Sequence, residues 1–505
     1  MTLLVPGHRV DPIQATRYLC LTTLRRQLRK RPHLLTTVWQ VMQSYVRGGP
    51  RTPGPVWILK TALDSMNWSW DSPDRFTRPG RPPLSILDGD DSWWEHQIRD
   101  GIRLSFWKAA GRRRHDMQGL DCDGGIDRTA TMALHNSRKT SPFDAGVLRA
   151  LLTGSVRLQQ RLHAAQLADT DTCPFCREEP ETLEHCFWRC PCWDHIRRQF
   201  DIPAADARNE WPRCTRECGI FLERDEVLRA NDALEEEEAA ADAMIQEWCL
   251  AADTSAGFEG EHWSGVRTTV WTDGASRNNS DSRICRAGCG AYYAPDHPLN
   301  LSCILPGRVQ SNQRAELLAI VLALRRDARQ LDIRTDSKYC WAGAVSWAKW
   351  AAQGWHGSNR DLWQRFSAAM QSRPPGSVLF TKVKGHASQA DVAAGRTLAE
   401  DKAGNDAADT LAGAGADAHA VPAAVKLQTS LQRHAAVEVQ AMMIAILAAR
   451  RSSSAGVGSS ALHLDDTQAP PHEWADLDAA GACGAGLVDG NCGFDPPGEA
   501  WWPDD

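Results

Sequence analysis

Apolar positions recur along this chain with two distinct rhythms. Over 12–46 they follow the helical period, with Leu21, Leu24 and Leu28 on one face. Arg25, Arg26, Arg29, Lys30 and Arg31 crowd the other faces, and Pro32 interrupts the run. The stretch 48–92 is rich in Pro, Gly and Asp and predicts loop or poorly ordered chain. Helical periodicity returns over 143–168, just before a cysteine cluster. It returns again over 225–250, where the run Glu235–Glu238 reads as a solvated connector.

Residues 266–414 change rhythm. VWTDGAS, CRAGCGAYYA and LNLSCIL alternate as three strands, and Asn312–Arg329 is strongly helical. Leu331–Thr335 is a short strand, and helical segments follow. Val378–Lys384 is a strand, and a helix starts near Glu400. This order predicts an α/β domain with a mixed sheet. An Ala-rich amphipathic helix over 422–450 comes next. Beyond Arg451 aliphatic residues are few, which predicts disorder.

The 505 residues suggest about three domains. A net charge of −6 taken alone argues against a nucleic-acid partner. Its distribution changes that picture. Residues 1–115 hold 19 basic side chains against 9 acidic ones, while 452–505 hold 10 acidic and no basic ones. The head, including Arg112, Arg113 and Arg114, is a candidate nucleic-acid face, and a solvated helix surface is the alternative. No apolar run is long enough to span a bilayer, and MTLLVPGHRVDP lacks the form of a signal peptide. The expected setting is intracellular, nucleus or cytoplasm, with no membrane association and reduced thiols.

Of the 16 cysteines, one group has ligand spacing. CPFCREEPETLEHCFWRC gives Cys173, Cys176, His185 and Cys190, a closed four-ligand pattern suited to one structural Zn²⁺. Cys186, Cys192 and His195 are spare candidates, and Cys214 and Cys218 form a further pair without evident partners. The segment 145–200, with LLTGSVRLQQRL and ETLEHCFWRCP, resembles the zinc-binding region that follows the reverse transcriptase in non-LTR retrotransposon polyproteins.

Asp273 ends a strand, Glu316 lies at a helix start, Asp336 ends a second strand, and Asp409 lies on the late helix. Several acids brought together could hold two divalent cations for phosphodiester hydrolysis. The motifs TDGAS, NQRAEL, TDSKY, NRDLWQRF, VKGHAS and GNDAADTLA, in this order, resemble type-1 ribonuclease H over about 266–414. The resemblance implies a ribonuclease H-like α/β fold with a five-stranded mixed sheet flanked by helices. It implies endonucleolytic hydrolysis of the RNA strand of RNA/DNA hybrids, with two Mg²⁺ or Mn²⁺ ions on Asp273, Glu316, Asp336 and Asp409. Asp273 would bridge both ions. Asp406 competes with Asp409 for the fourth place, and Asp409 is chosen because it lies one helical turn from Asn405.

His386 in VKGHAS is the candidate proton donor or gate, since an imidazole titrates near neutrality. SQADVAAGRTLAE is an insertion relative to the family pattern and is expected to lengthen a flexible loop carrying His386. Asn279, Asn312 and Gln313 match positions that bind the RNA strand, where an amide suits a 2′-OH. Trp341, Trp347, Trp350 and Trp355 fall where the family carries a hybrid-binding protrusion, with core packing as the alternative; Lys349, His356 and Arg360 are its only basic residues.

The expected organisation is a basic, partly helical region over 1–142, a zinc module over 143–200 and a helical linker over 201–262. The ribonuclease H domain over 263–415, an amphipathic helix over 416–451 and a disordered acidic tail over 452–505 complete it. No Tyr/Phe-x-Asp-Asp polymerase motif is evident, so a retrotransposon-derived protein without the polymerase is expected. A remnant that binds nucleic acid without cleaving it is the alternative. The sequence does not indicate an oligomeric state.

Overall fold

The computed structural model describes residues 12–46, 54–79, 81–87, 91–250, 267–355 and 359–454. The expected acidic tail beyond 454, linker residues 251–262 and His356 lie outside the described residues.

The first unit contains α1 (Pro12–Lys30), α2 (Leu35–Val46), α3 (Pro55–Met66), β1 (Ser69–Ser72), β2 (Arg75–Arg78), β3 (Arg81–Ser85) and α4 (Asp91–Arg113). Leu21 and Leu28 are buried, as the helical spacing requires. The expectation of loop over 48–92 is corrected here: α3 and an antiparallel β1–β2–β3 sheet occupy much of it. The strands escape a periodicity search because they are only four or five residues long, and charged side chains separate the buried Trp70, Phe76 and Leu84. These three pack with Trp94 of α4 in one core.

The basic face is also smaller than its residue count. Arg25 is 2% exposed; its Nε donates to the Ile86 carbonyl and its guanidinium lies over Trp94. Arg26 pairs with Glu95, and Arg114 is bound to Asp116 and the Thr153 carbonyl. Lys30, Arg31, Arg112 and Arg113 remain exposed.

The cysteine-bearing body follows, with α5 (Arg128–Thr131), α6 (Pro142–Leu152), α7 (Gln159–Ala164), α8 (Asp194–Arg197), α9 (Ala205–Asn209) and α10 (Arg213–Cys218). Its core draws on residues from Trp107 onward. A long α11 (Asp225–Leu250) leads away from it.

The α/β unit then runs through β4 (Thr268–Arg277), β5 (Arg286–Tyr292), β6 (Leu301–Ile304), α12 (Asn312–Arg326) and β7 (Leu331–Thr335). It continues with α13 (Lys338–Val345), α14 (Trp347–Ala352), α15 (Arg360–Gln371), β8 (Val378–Lys382), α16 (Gln389–Ala393) and α17 (Ala399–Ala418). The sheet order is β6–β5–β4–β7–β8; β4 is antiparallel to β5 and parallel to β7. This is the expected five-stranded mixed sheet. α12 packs against β4 and β5 through Leu317, Leu318, Val321 and their neighbours, all buried. α17 meets β5 through Ala408, Ala412, Gly415 and Ala416. The contact is close enough that a Cβ on Gly288 or Gly290 would collide with the helix backbone.

The last helix, α18 (Ala423–Ser454), does not stand alone. It turns back to the cysteine-bearing body, where Val439, Met442, Met443 and Ile446 are buried among Leu148, Leu151, Phe187 and Cys218. Gln440 donates to the carbonyls of Thr131 and Gly219, and Arg450 clamps buried Glu181 through two contacts of 2.8 Å. The body is therefore made from two stretches of sequence with the α/β unit between them. Among the described residues, no helix is long and apolar enough to cross a membrane.

Ile446 is fully buried in this two-part core. Ile446→Ala should cost about 2–5 kcal/mol. Denaturant titration, followed by the thiol reactivity of buried Cys186 and Cys218, should show the loss as a lower midpoint; an unchanged midpoint would contradict the packing of α18.

Candidate functional site: a carboxylate cluster and a thiolate–imidazole cluster

Three acids converge at the centre of the α/β sheet. Asp273 stands on β4, Glu316 in the second turn of α12, and Asp336 just beyond β7. One oxygen from each lies within 4.8 Å of the others. Asp273 does not end its strand as the sequence suggested: β4 continues to Arg277 in its pairing with β5, and Asp273 comes just after the last residue paired with the parallel β7, next to where Asp336 leaves β7. α12 comes close because position 274 has no side chain: a Cβ there would lie 2.5 Å from the Glu316 nitrogen and 2.8 Å from the Asn312 carbonyl oxygen.

Neighbours hold each acid in place. The Gly274 N–H donates to Asp273 Oδ1 at 2.7 Å. Asn312 Nδ2 donates to Glu316 Oε1 at 2.8 Å, and Ser337 also hydrogen-bonds Glu316. Buried Asn405 hydrogen-bonds Asp336. Burial, reinforced by the other carboxylates, pushes Asp273 up to about 8. Burial likewise pushes Glu316 up to about 7, and it raises Asp336 despite the Asn405 bond. The cluster is thus strained toward protonation, and an all-oxygen donor set under mutual repulsion fits hard divalent cations.

Asp409 is exposed on α17, outside the tight trio but close enough for its charge to act on Asp273 and Asp336. Asp406 is paired with Lys402 on its own helix. Of the two rivals, Asp409 therefore faces the cluster electrostatically. His386 is exposed in a left-handed conformation (φ 46°), and its charge also acts on Asp336. It follows Gly385, where any Cβ would strike the Asp336 carboxylate.

The insertion after His386 is not the flexible loop expected. Ser388 caps α16 in a reciprocal capping box with Asp391, and Asp391 also binds Lys384 and Arg396. Four ties on one carboxylate order this segment.

Asn279 lies exposed in the turn after β4, and its Oδ1 accepts from the Cys285 thiol at 3.5 Å. Asn312 and Gln313 open α12 beside Glu316. The tryptophans divide. Trp355 is buried and stacks on Trp363 with ring centroids 4.6 Å apart, and Trp341 donates to the Phe380 carbonyl. Trp347 packs on the core, whereas Trp350 is exposed beneath Lys349. Sequence reasoning missed Ser337 and the bond from Asn405. The cap position after TD and the i, i+4 relation to Asp409 were the available signals.

In the cysteine-bearing body, Cys173, Cys176, His185 and Cys190 place one ligand atom each within 4.8 Å of the rest. Cys173 and Cys190 sulfurs are 4.0 Å apart, and Cys176 Sγ is 3.3 Å from His185 Nε2. Tetrahedral zinc separates such atoms by roughly 3.5–3.8 Å, so the four residues fit it. Glu179 Oε2 lies 3.1 Å from His185 Nδ1, which aims Nε2 inward. The spare candidates are elsewhere. Cys186 is a core thiol pushed up to about 12 by burial, and His195 is exposed. Cys214 and Cys218 are core residues, with the Cys218 thiol donating to the Asp116 carbonyl.

Comparison with known proteins agrees with the α/β unit. Residues 266–417 match the family model described as RNase H. The chain is 38% identical over 146 residues to a Ribonuclease H of Schizosaccharomyces pombe, covering 26% of this chain and 54% of that protein. It is 40% identical over 101 residues to Ribonuclease H1 of Mus musculus, covering 19% and 35%. The chain therefore spans about half or less of the length of these curated relatives. Among solved structures, the solution structure of the PFV RNase H domain covers 30% of this chain and 94% of its own, with 21% identity and a TM-score of 0.24. LC9-RNase H1, described as a type 1 RNase H with the type 2 active-site motif, covers 34% and 84%, with 21% identity and a TM-score of 0.23. Over residues 266–417, this chain carries an RNase H domain.

Proposed function

We propose that the chain is a ribonuclease H that hydrolyses the RNA strand of RNA/DNA hybrids endonucleolytically. The observation that carries this reading is the convergence of buried Asp273 and Glu316 with half-buried Asp336 within a matched RNase H domain. Asp273, Glu316, Asp336 and Asp409 would hold two Mg²⁺ ions, with Mn²⁺ as a substitute. Bound there, such ions supply Lewis acidity for activating water and stabilising the leaving oxygen.

The chain's own groups do the rest. Asp273 and Glu316, pushed toward protonation by burial, would meet such cations as carboxylates, and the Asn312 amide and Asn405 keep Glu316 and Asp336 oriented. His386, exposed beside Asp336, handles a proton at the leaving group or gates product release. Asn279, Asn312 and Gln313 read the 2′-OH groups of the RNA strand. The exposed basic residues of the N-terminal unit add phosphate contacts.

Cys173, Cys176, His185 and Cys190 would hold one structural Zn²⁺. This module beside the RNase H domain supports a retrotransposon-derived origin. The proposed working parts are the N-terminal unit, the zinc-bearing body completed by α18, and the RNase H domain.

Purified chain with Mg²⁺ should cleave a labelled RNA/DNA hybrid and spare single-stranded RNA and duplex DNA. Asp336→Asn should lower cleavage by about a hundredfold or more while preserving the fold. Intact hybrid that is nevertheless bound would favour the non-cleaving remnant; normal cleavage by the variant would overturn the site.

Asp273 carries a carboxyl raised from 3.8 to about 8. Its contribution to metal-free stability is full below the unfolded value and is lost as pH rises toward 8. Bound cation offsets that loss and competes with protons, so Mg²⁺ should raise the melting temperature more at about pH 8 than at about pH 6. A shift independent of pH would place the cation elsewhere.

Elemental analysis of the full chain should find about one zinc, lost in Cys190→Ser. Glu179→Gln should weaken zinc binding by about 10–100-fold. Full occupancy in Cys190→Ser would refute the ligand set.

A further inference from the structure

One cluster of charges belongs to none of the sites above. Arg283 closes the turn that follows β4, and its guanidinium meets three carboxylates. Its Nη1 is 2.7 Å from Asp127 Oδ1 and 2.8 Å from both oxygens of Glu223. Its Nη2 is 2.6 Å from Asp281 Oδ2, and Nε donates to Asp281 Oδ1 at 2.9 Å. Asp281 lies in the same turn, whereas Asp127 and Glu223 belong to the cysteine-bearing body.

That body presents the two acids as a rigid pair. Ile126 and Leu222 form an isolated antiparallel bridge, with Asp127 N–H donating to the Phe221 carbonyl and Glu223 N–H to Gly125. The Ala130 N–H occupies one Asp127 oxygen, and Gln432 of α18 donates to the other. Asp127 is fully buried, and the Glu223 side chain is 8% exposed. A buried arginine facing buried carboxylates is costly to leave half-made, so the contact has one defined geometry.

The turn it grips carries Asn279. Asn278 adopts φ 61°, its Nδ2 donates to the Ile284 carbonyl, and the Asp281 N–H donates to Asn278. Asn279 and Ser280 face solvent at its tip. The far end of the turn is packed down, with Ile284 buried against Val227, Val421 and Val425 and the Cys285 thiol donating to the Gln310 carbonyl. Arg283 is the charged hold nearest its exposed tip, and it ties the turn to Asp127 and Glu223 of the cysteine-bearing body.

We propose that Arg283 is a positioning residue for substrate: through Asp127 and Glu223, the cysteine-bearing body holds the 278–285 turn so that Asn279 meets the RNA strand. The inference rests on the hybrid-cleaving reading given above. On this view the substrate side of the RNase H domain is completed by the body, and a change in the body reaches hybrid affinity without touching the carboxylate cluster.

The test compares Arg283→Ala and Arg283→Lys in the full chain. Arg283→Ala should raise KM for the hybrid by about tenfold and leave kcat within about twofold, with partial rescue by lysine. In an Asn279→Ala background the same substitution should change KM little, because the two act in series. If Arg283→Ala fails to fold, the Asp127→Asn, Glu223→Gln pair removes the anchor while keeping the Arg283–Asp281 contact. An unchanged KM, or an effect that simply adds to that of Asn279→Ala, would reduce the cluster to domain glue and overturn the proposal. Hydrogen exchange of the 278–285 amides without substrate reads the clamp alone. Faster exchange in the variant supports it, and unchanged exchange overturns it even if the chain cleaves nothing. Failure of the unaltered chain to cleave hybrid, with the exchange difference present, would strike only the functional reading.

Discussion

The loss of water around Asp273, Glu316 and Asp336, reinforced by the charges they bring to one another, is the constraint around which the RNase H domain is arranged. Separately, each acid would be ordinary. Brought within 4.8 Å, with Asp273 and Glu316 buried and Asp336 half-buried, they resist ionisation together, and something must keep them there. Backbone proximity does so. β4 and β7 run side by side, Gly274 lets α12 close on the strand, and the small residues of α17 let that helix approach β5. Hydrogen bonds from Asn312, Ser337 and Asn405 then hold particular oxygens. Packing energy stored in the sheet and helices offsets an electrostatic cost at its edge.

Much of this was legible in one dimension. Apolar strands and a long apolar helix marked the succession of elements and a mixed sheet, while the order of the strands within it emerged only from their pairing. The acids were legible through short motifs with chemistry attached. The four zinc candidates were legible through spacing, and their ligand atoms do converge. Other features depend on contacts distant in sequence. The β1–β3 sheet is short, and its Trp and Phe are separated by charges. The burial of Arg25 depends on Trp94 and Ile86, some 61 residues or more away. The order of the insertion rests on Asp391, whose four ties no composition rule counts.

The same limit applies to charge. A basic count over 1–115 suggested a nucleic-acid face, yet several of those arginines serve internal roles. Arg114, though its side chain is partly exposed, joins Asp116 to the Thr153 carbonyl and so stitches the body. Guanidinium groups satisfy several acceptors at once, so a chain with few lysines spends many of its cations as internal fasteners.

The return of α18 to the cysteine-bearing body has a consequence for synthesis. Leu148, Leu151 and Phe187 leave the ribosome more than two hundred residues before Met442 and Ile446, the side chains that cover them. For that interval the body is an unfinished surface, and the RNase H domain must emerge and fold in between. A nascent chain of this design leaves its second module incomplete until its last helix emerges, and the apolar surface waiting for α18 is open to misassociation for that interval.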